Sequence, residues 1–367
     1  MQKQILTATI LASAIGFASQ GYAATEIAEN TTVSGKAFVD FTSIDQDSNG
    51  VKSDASGVGI DVKRFYIGVD HVFDSMWSAN ITTDFNYANK TTETQETQVF
   101  IKKAFVRAKI SDELVINAGA YDTPWIPYAE SLYGYRWIEP TLIDHVKVQS
   151  SADWGINASG LLSDGMVNYS VSVINGNGYK NPTRTNTMDL EARVGFTPVK
   201  GLTFAAGYYN GKLGQDKEST DPQNTASRYN LLAAYIQPSF RIGAEYYKAK
   251  NWGTDLAGTN LVLSKVATDS GDGYSVWGSV NFTEKLAAFA RYDEATTSED
   301  LLPNRENKYF NIGLAYKARK NVDLGFVVKN DKTTNGAIGT SNGTIGGTST
   351  AGEGKFKEFG LFAQISY

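Results

Sequence analysis

Three cations recur at even spacing on one stretch of the chain: Lys103, Arg107 and Lys109. In an extended strand, residues of equal parity share a face, so all three point the same way. Ammonium and guanidinium groups offer several donors to an oxyanion, and together with Arg64 they would form a cationic track for anions. Ion pairs with carboxylates on the same face are the competing reading, and the sequence leaves both open. A second constellation lies in segment 122–150. It holds Asp122, Trp125, Glu130, Arg136, Glu139, Asp144 and Lys147 among Pro124, Pro127, Tyr128, Tyr133, Tyr135 and Trp137. A loop this aromatic buries its rings by folding inward, and its charges would then set size and charge selectivity, as rings of charged side chains do in pores. An external loop packed on its neighbours, or a subunit contact, would also bury them.

Other chemistry is sparsely provided. The chain has no cysteine, which excludes a disulfide scaffold, a Cys-ligated zinc site and a thiol nucleophile. Its two histidines, His71 and His145, have acidic neighbours in Asp70 and Asp144, but no serine at a spacing that makes a triad. No enzyme is therefore expected, and no cofactor. Loop 45–58 opens like a calcium loop with Asp45, Asp47, Asn49 and Gly50. Its twelfth position is Ser56 rather than a bidentate Glu, so a solvated surface loop with weak calcium- or lipopolysaccharide-bridging capacity is expected. The Gly/Thr/Ser tract Gly339–Gly347 lacks a following helix and reads as flexible rather than phosphate-cradling. A formal charge of -5 argues against a nucleic-acid partner.

These groups need a framework, and the patterning of the 367 residues supplies one. Residues 1–23 read as a secretory signal peptide, with Lys3 before an apolar stretch and Gly21 and Ala23 at the small-residue positions. From Val33 onward, apolar and polar residues alternate in segments of about 10 residues, the period of a strand. Sixteen such segments are predicted: 33–44, 59–72, 77–87, 98–110, 114–121, 151–161, 167–175, 187–197, 202–212, 226–237, 240–250, 273–283, 286–296, 307–318, 322–332 and 354–367. Seven short turns alternate with eight longer loops between them. Sixteen all-β segments with short turns at one rim and long loops at the other predict an antiparallel transmembrane β-barrel over residues 24–367, wide enough for water inside. Apolar faces such as Leu202, Phe204, Ala206 and Tyr208 would meet lipid. Phe65, Tyr66, Trp77, Phe85, Tyr87, Tyr246, Tyr247, Tyr316 and Tyr367 would form the interfacial girdles.

Three segments carry a resemblance: KRFYIGVDHV at 63–72, KAFVRAKISDELVINAGAYDTPW at 103–125, and the final EFGLFAQISY. Here the chain resembles Gram-negative outer-membrane porins, and is most similar to the phosphate-selective porin O and P type family. The resemblance implies a homotrimer of 16-stranded barrels, each with its own pore and a long loop after the fifth strand. It departs from that family in its lumen. The inward positions hold eleven cations: Lys36, Arg64, Lys103, Arg107, Lys109, Arg193, Arg228, Arg241, Arg291, Lys317 and Lys329. They face ten anions: Asp40, Asp70, Asp84, Asp153, Asp189, Glu191, Glu245, Asp293, Asp323 and Glu358. That near balance makes a general diffusion pore for small hydrophilic solutes and ions the expectation. An anion- or phosphate-selective channel is the alternative within the class, and a closed-lumen adhesin or receptor barrel the alternative outside it. Outer-membrane lipid and lipopolysaccharide are the expected surroundings.

Overall fold

The computed structural model describes residues 24–87, 97–218, 224–252, 268–347 and 352–367. The signal-peptide expectation for 1–23 lies outside these residues, as do parts of the long loops at 88–96, 219–223, 253–267 and 348–351.

Sixteen antiparallel strands make the wall. They are β1 (Thr31–Ser48), β2 (Gly57–Val72), β3 (Trp77–Tyr87), β4 (Thr97–Lys109), β5 (Val115–Asp122), β6 (Ala152–Leu162), β7 (Val167–Ile174) and β8 (Asp189–Val199). Then come β9 (Leu202–Gly211), β10 (Ala226–Gln237), β11 (Phe240–Lys250), β12 (Ser270–Asn281), β13 (Leu286–Thr296), β14 (Glu306–Arg319), β15 (Val322–Thr334) and β16 (Glu353–Ser366). Every strand pairs with its sequence neighbour, and β16 returns to β1 from Lys36↔Ser366 to Ser48↔Gly354, which closes the barrel. Closure leaves no edge strand in the wall, which is how a barrel meets the bilayer's demand for paired backbone groups. The strands match the alternation in sequence, with ends displaced by at most four residues.

The two faces are chemically opposite. Outward, Phe204, Ile242, Val276, Ile312, Phe326 and Leu361 are exposed. Inward, Asp40, Glu191, Arg228, Arg291, Lys329 and Glu358 are buried. A soluble barrel would reverse this. A charge at mid-membrane on the outer face costs about 2–4 kcal/mol, so the apolar band is the face that tolerates a bilayer. No helix of the described residues is long and apolar enough to cross a membrane, and crossing here is done by strands.

Two irregularities alter which side chains face inward. The β1–β2 register slips between Phe38 and Val39, leaving Lys63 as an extra residue on β2. The β3–β4 register slips between Thr82 and Thr83, leaving Lys102 extra on β4. A bulge breaks the period of two, so Lys63 joins Arg64, and Lys102 joins Lys103, on the lumen side. Strict alternation assigns neither lysine to the lumen. Two of the expected girdle residues also turn inward: Tyr66 and Tyr247 are 5% and 1% exposed and pack inside the barrel, whereas Phe65, Trp77, Tyr246, Tyr316 and Tyr367 remain outside.

The loops at the long rim hold two further departures. Loop 45–58 is largely a hairpin. Ser48 pairs with Val51 across Asn49 and Gly50, whose φ values of 52° and 76° are those of a tight hairpin turn. Asp45 pairs with Lys52 at 3.7 Å, and Asp47 accepts the Gly50 amide at 3.3 Å. The tract expected to be flexible instead folds as a two-stranded hairpin, Ala337–Thr340 with Gly343–Gly346, and buries Ile338 and Ile345.

Candidate functional site

Residues 123–151 fold into the barrel. Helix α1 (Ile126–Tyr133) starts with Pro127 in its first turn, where a missing amide proton costs nothing, and ends at Gly134 with φ 82°. The short helix α2 (Leu142–His145) follows. Apolar burial drives the segment inward. Trp125, Ile126, Tyr133, Leu142 and Ile143 pack with Ala205, Leu232, Tyr247 and Trp277 of the wall. Trp137 and Ile138 pack further round the wall with Phe38, Tyr66, Phe289 and Phe362, so the docked arc runs on from β13 through β16 to β1 and the edge of β2. Close approach is permitted by glycines in the wall. A Cβ on Gly207 would lie 2.7 Å from the Trp125 ring, and one on Gly325 2.8 Å from Trp137.

Polar ties hold the backbone of the segment to the wall. Arg193 donates to Pro124 O at 2.9 Å and lies 3.8 Å from the Tyr128 ring centroid. Arg241 donates to Leu132 O at 3.1 Å and Ser131 O at 3.4 Å, carbonyls near the α1 C-terminus that have no partner in the helix. Glu245 accepts the Leu142 amide at 2.9 Å, at the start of α2. Arg291 donates to Pro140 O and forms a two-pronged pair with Asp293. Lys329 pairs with Glu139 at 3.2 Å and with Glu358 at 3.0 Å.

These ties sort the sequence-derived residues. Trp125 and Glu139 are buried on the docked side, at 1% and 2% exposure, and anchor the segment rather than line an opening. Arg241 and Arg291 act likewise from the wall: both reach carbonyls of the segment and are spent there. The segment's other charges, Glu130, Arg136 and Asp144, are partly exposed. Arg136 and Glu130 pair at 2.5 Å, with Asp144 3.7 Å from Arg136. Burial favours the neutral acid and raises the Glu130 pKa, against the pull of Arg136 and with the help of Asp144. Lys147 is exposed, with φ 52°. Across from them stand Arg64, Lys103 and Asp122, whose side chains keep 27%, 25% and 26% exposure. Those values leave these side chains of the β2–β5 wall open to solvent.

Charges on that wall are unevenly matched. Arg64 lies 3.6 Å from Asp84, Lys103 2.5 Å from Asp122, and Lys63 3.4 Å from Asp40. Lys102 has neutral company: the Tyr66 hydroxyl at 3.4 Å and the Tyr66 ring at 4.7 Å. Arg107 donates to Asn117 Oδ1 at 2.8 Å and to the Tyr121 hydroxyl at 3.2 Å. Among the described residues neither has a carboxylate within 4 Å. Lys36 is buried, within electrostatic reach of Glu130, Lys103 and Asp323. Lys109 sits at the short-turn end and pairs with Asp112 at 2.8 Å.

No family model matches this chain, and no curated protein matches it. Solved structures do. The outer-membrane channel DcaP of Acinetobacter baumannii superposes with a TM-score of 0.62 at 13% identity, covering 92% of this chain and 97% of that one. An anion-selective porin from Comamonas acidovorans gives 0.60 at 10% identity, covering 92% and 99%. Salmonella typhi OmpF in complex with daunomycin gives 0.60 at 12% identity, covering 94% and 100%. The chain has a porin fold. Its architecture is that of Gram-negative outer-membrane barrels, and its apolar belt calls for the same bilayer setting.

Within this porin fold, one group of side chains was not assembled by sequence reasoning. Ser341, at the tip of the outer hairpin, lies 2.6 Å from His145 Nδ1, and Asp331 Oδ2 lies 3.4 Å from His145 Nε2. The trio has the residue types of a hydrolytic triad but not its chemistry. Carboxylates flank the ring on both sides, Glu139 at Nδ1 and Asp331 at Nε2, an arrangement that favours the imidazolium over a neutral base. The signal available in the sequence was the Asn342–Gly343 dipeptide, which marks a tight hairpin between the two isoleucines.

Proposed function

We propose that the chain is a passive outer-membrane porin through which small hydrophilic solutes and ions diffuse. Supporting this reading is the solvent-reached, doubly charged passage between Glu130, Arg136, Asp144 and Lys147 on one side and Arg64, Lys103 and Asp122 on the other. Segment 122–150 acts as the constriction, and its ties to β8–β15 keep it from swinging across the opening. Opposed charges hold ordered water and present an electrostatic filter, which suits polar solutes and excludes apolar ones. The barrel works as a homotrimer surrounded by lipid and lipopolysaccharide, and needs no cofactor or energy input. Liposome swelling tests the reading. Proteoliposomes should swell in pentoses faster than in trisaccharides, and swelling no faster than in protein-free vesicles would contradict it.

One observation favours a finer reading. Lys102 and Arg107 carry positive charge with neutral partners, and the structural neighbour from Comamonas acidovorans is described as anion-selective. We therefore take the channel to prefer anions. Phosphate preference, suggested by the likeness to the O and P type family, has no dedicated cluster in support beyond this bias.

A further inference from the structure

We propose that Ser341 is a positioning residue for the constriction: through His145 and Glu139, the outer hairpin clasps segment 123–151, and the clasp loosens when His145 gives up a proton. The inference rests on the channel reading only for its electrical consequence.

The hairpin 337–346 is joined to α2 by several short contacts. The Ser341 amide donates to His145 O at 2.8 Å. His145 Nδ1 donates toward Ser341 Oγ at 2.6 Å and Glu139 Oε1 at 3.2 Å, and the Ser341 hydroxyl donates to Glu139. His145 Nε2 points at Asp331 of β15, which also accepts from Thr340 at 3.0 Å and Asn342 at 3.1 Å. One buried imidazole thus joins the constriction, the hairpin and the wall.

Every charged group around the ring enters the balance. Glu139 comes from the segment itself, Asp331 and Lys329 from β15, Arg291 and Asp293 from β13, and the Tyr309 ring from β14 lies 4.6 Å away. Arg291 is engaged with Asp293, and Lys329 is shared with Glu358. Without the imidazolium proton, Asp331 would lose the cation at Nε2, and Glu139 would be left with Lys329, which it shares with Glu358, itself also paired with Lys63 at 3.5 Å. Burial opposes the charge on His145, but Asp331 and Glu139 outweigh it and raise the pKa above the ordinary histidine value. A raised pKa means the clasp is at full strength below the ordinary histidine range and weakens as pH rises through the raised value.

Planar-bilayer recordings of the full chain from about pH 5 to about pH 9, the span over which imidazoles titrate, test this. Wild type should conduct steadily at the acid end and fluctuate between levels at the alkaline end. His145→Gln should fluctuate throughout, Ser341→Ala should shift the transition toward acid, and His71→Gln should leave it unchanged. Identical pH profiles for wild type and His145→Gln would overturn the proposal. Limited proteolysis of wild type within residues 337–346 needs neither a folded variant nor conduction. Cleavage should be about tenfold faster at the alkaline end, equivalent to about 1.4 kcal/mol of clasp strength, and equal protection at both ends would overturn the clasp while leaving the channel reading intact.

Discussion

Exchanging Arg291 for methionine should destabilise the barrel by about 3–5 kcal/mol, the range for removing one partner of a buried ion pair. Arg291 is 3% exposed and Asp293 is fully buried. Asp293 would keep the Ser275 hydroxyl at 2.5 Å but lose its counter-charge. The Pro140 carbonyl would lose its donor, and the Tyr133 and Tyr309 rings their shared cation at 5.1 and 5.5 Å. The same change releases the middle of the constriction, so conductance should rise as stability falls. Urea unfolding followed by tryptophan fluorescence reads the first effect and single-channel recording the second. The double variant Arg291→Met with Asp293→Leu separates them. An apolar pair of similar volume removes the stranded charge, so most of the stability should return. The Pro140 tie stays broken, so the enlarged conductance should persist. Recovery of both together would mean that Arg291 does not hold the segment.

Reversing the charge of Lys102 and Arg107 should move the channel from anion toward cation preference. In water, a unit charge acts on an ion about 6 Å away with about 0.7 kcal/mol. Reversal changes each site by two charges, about 1.4 kcal/mol per site for a given ion, or about tenfold per site in that ion's permeability before salt screening reduces it. Lys102→Glu with Arg107→Glu is the informative variant because these cations have tyrosine and asparagine rather than carboxylate partners. Arg241→Gln is the control: it meets the carbonyls of Ser131 and Leu132, so the reversal potential should barely move. A reversal potential unchanged by the double substitution would refute the assignment of the selective wall to β2–β5.

The sequence made the wall legible because a membrane barrel repeats a single constraint. Alternation of Leu202, Phe204 and Ala206 with polar neighbours says which face meets lipid, and the same rule holds for all sixteen strands. The rule fails where its premise fails. At Lys63 and Lys102 a bulge inserts one residue, and both lysines read as misplaced until the register is known. Facing inward also does not say what is met there. Arg64 and Arg291 have equal parity signals, but Arg64 faces water and Arg291 faces the underside of a folded segment. Tyr66 and Tyr247 read as girdle residues because aromatic character at a strand end fits a membrane interface and an interior docking surface alike. The outer hairpin is a contact between distant segments, Ser341 with His145, and no local pattern in Gly339–Gly347 encodes it beyond Asn342–Gly343.

On the proposed reading, water and ions cross this barrel beside the tethered segment. Purified protein in a planar bilayer under a KCl gradient tests it most directly. The account predicts discrete conductance steps, arriving in threes from a trimer, with a zero-current potential whose sign marks chloride as the more permeant ion. Folded protein that inserts and carries no current would contradict it and point to a closed-lumen adhesin or receptor barrel.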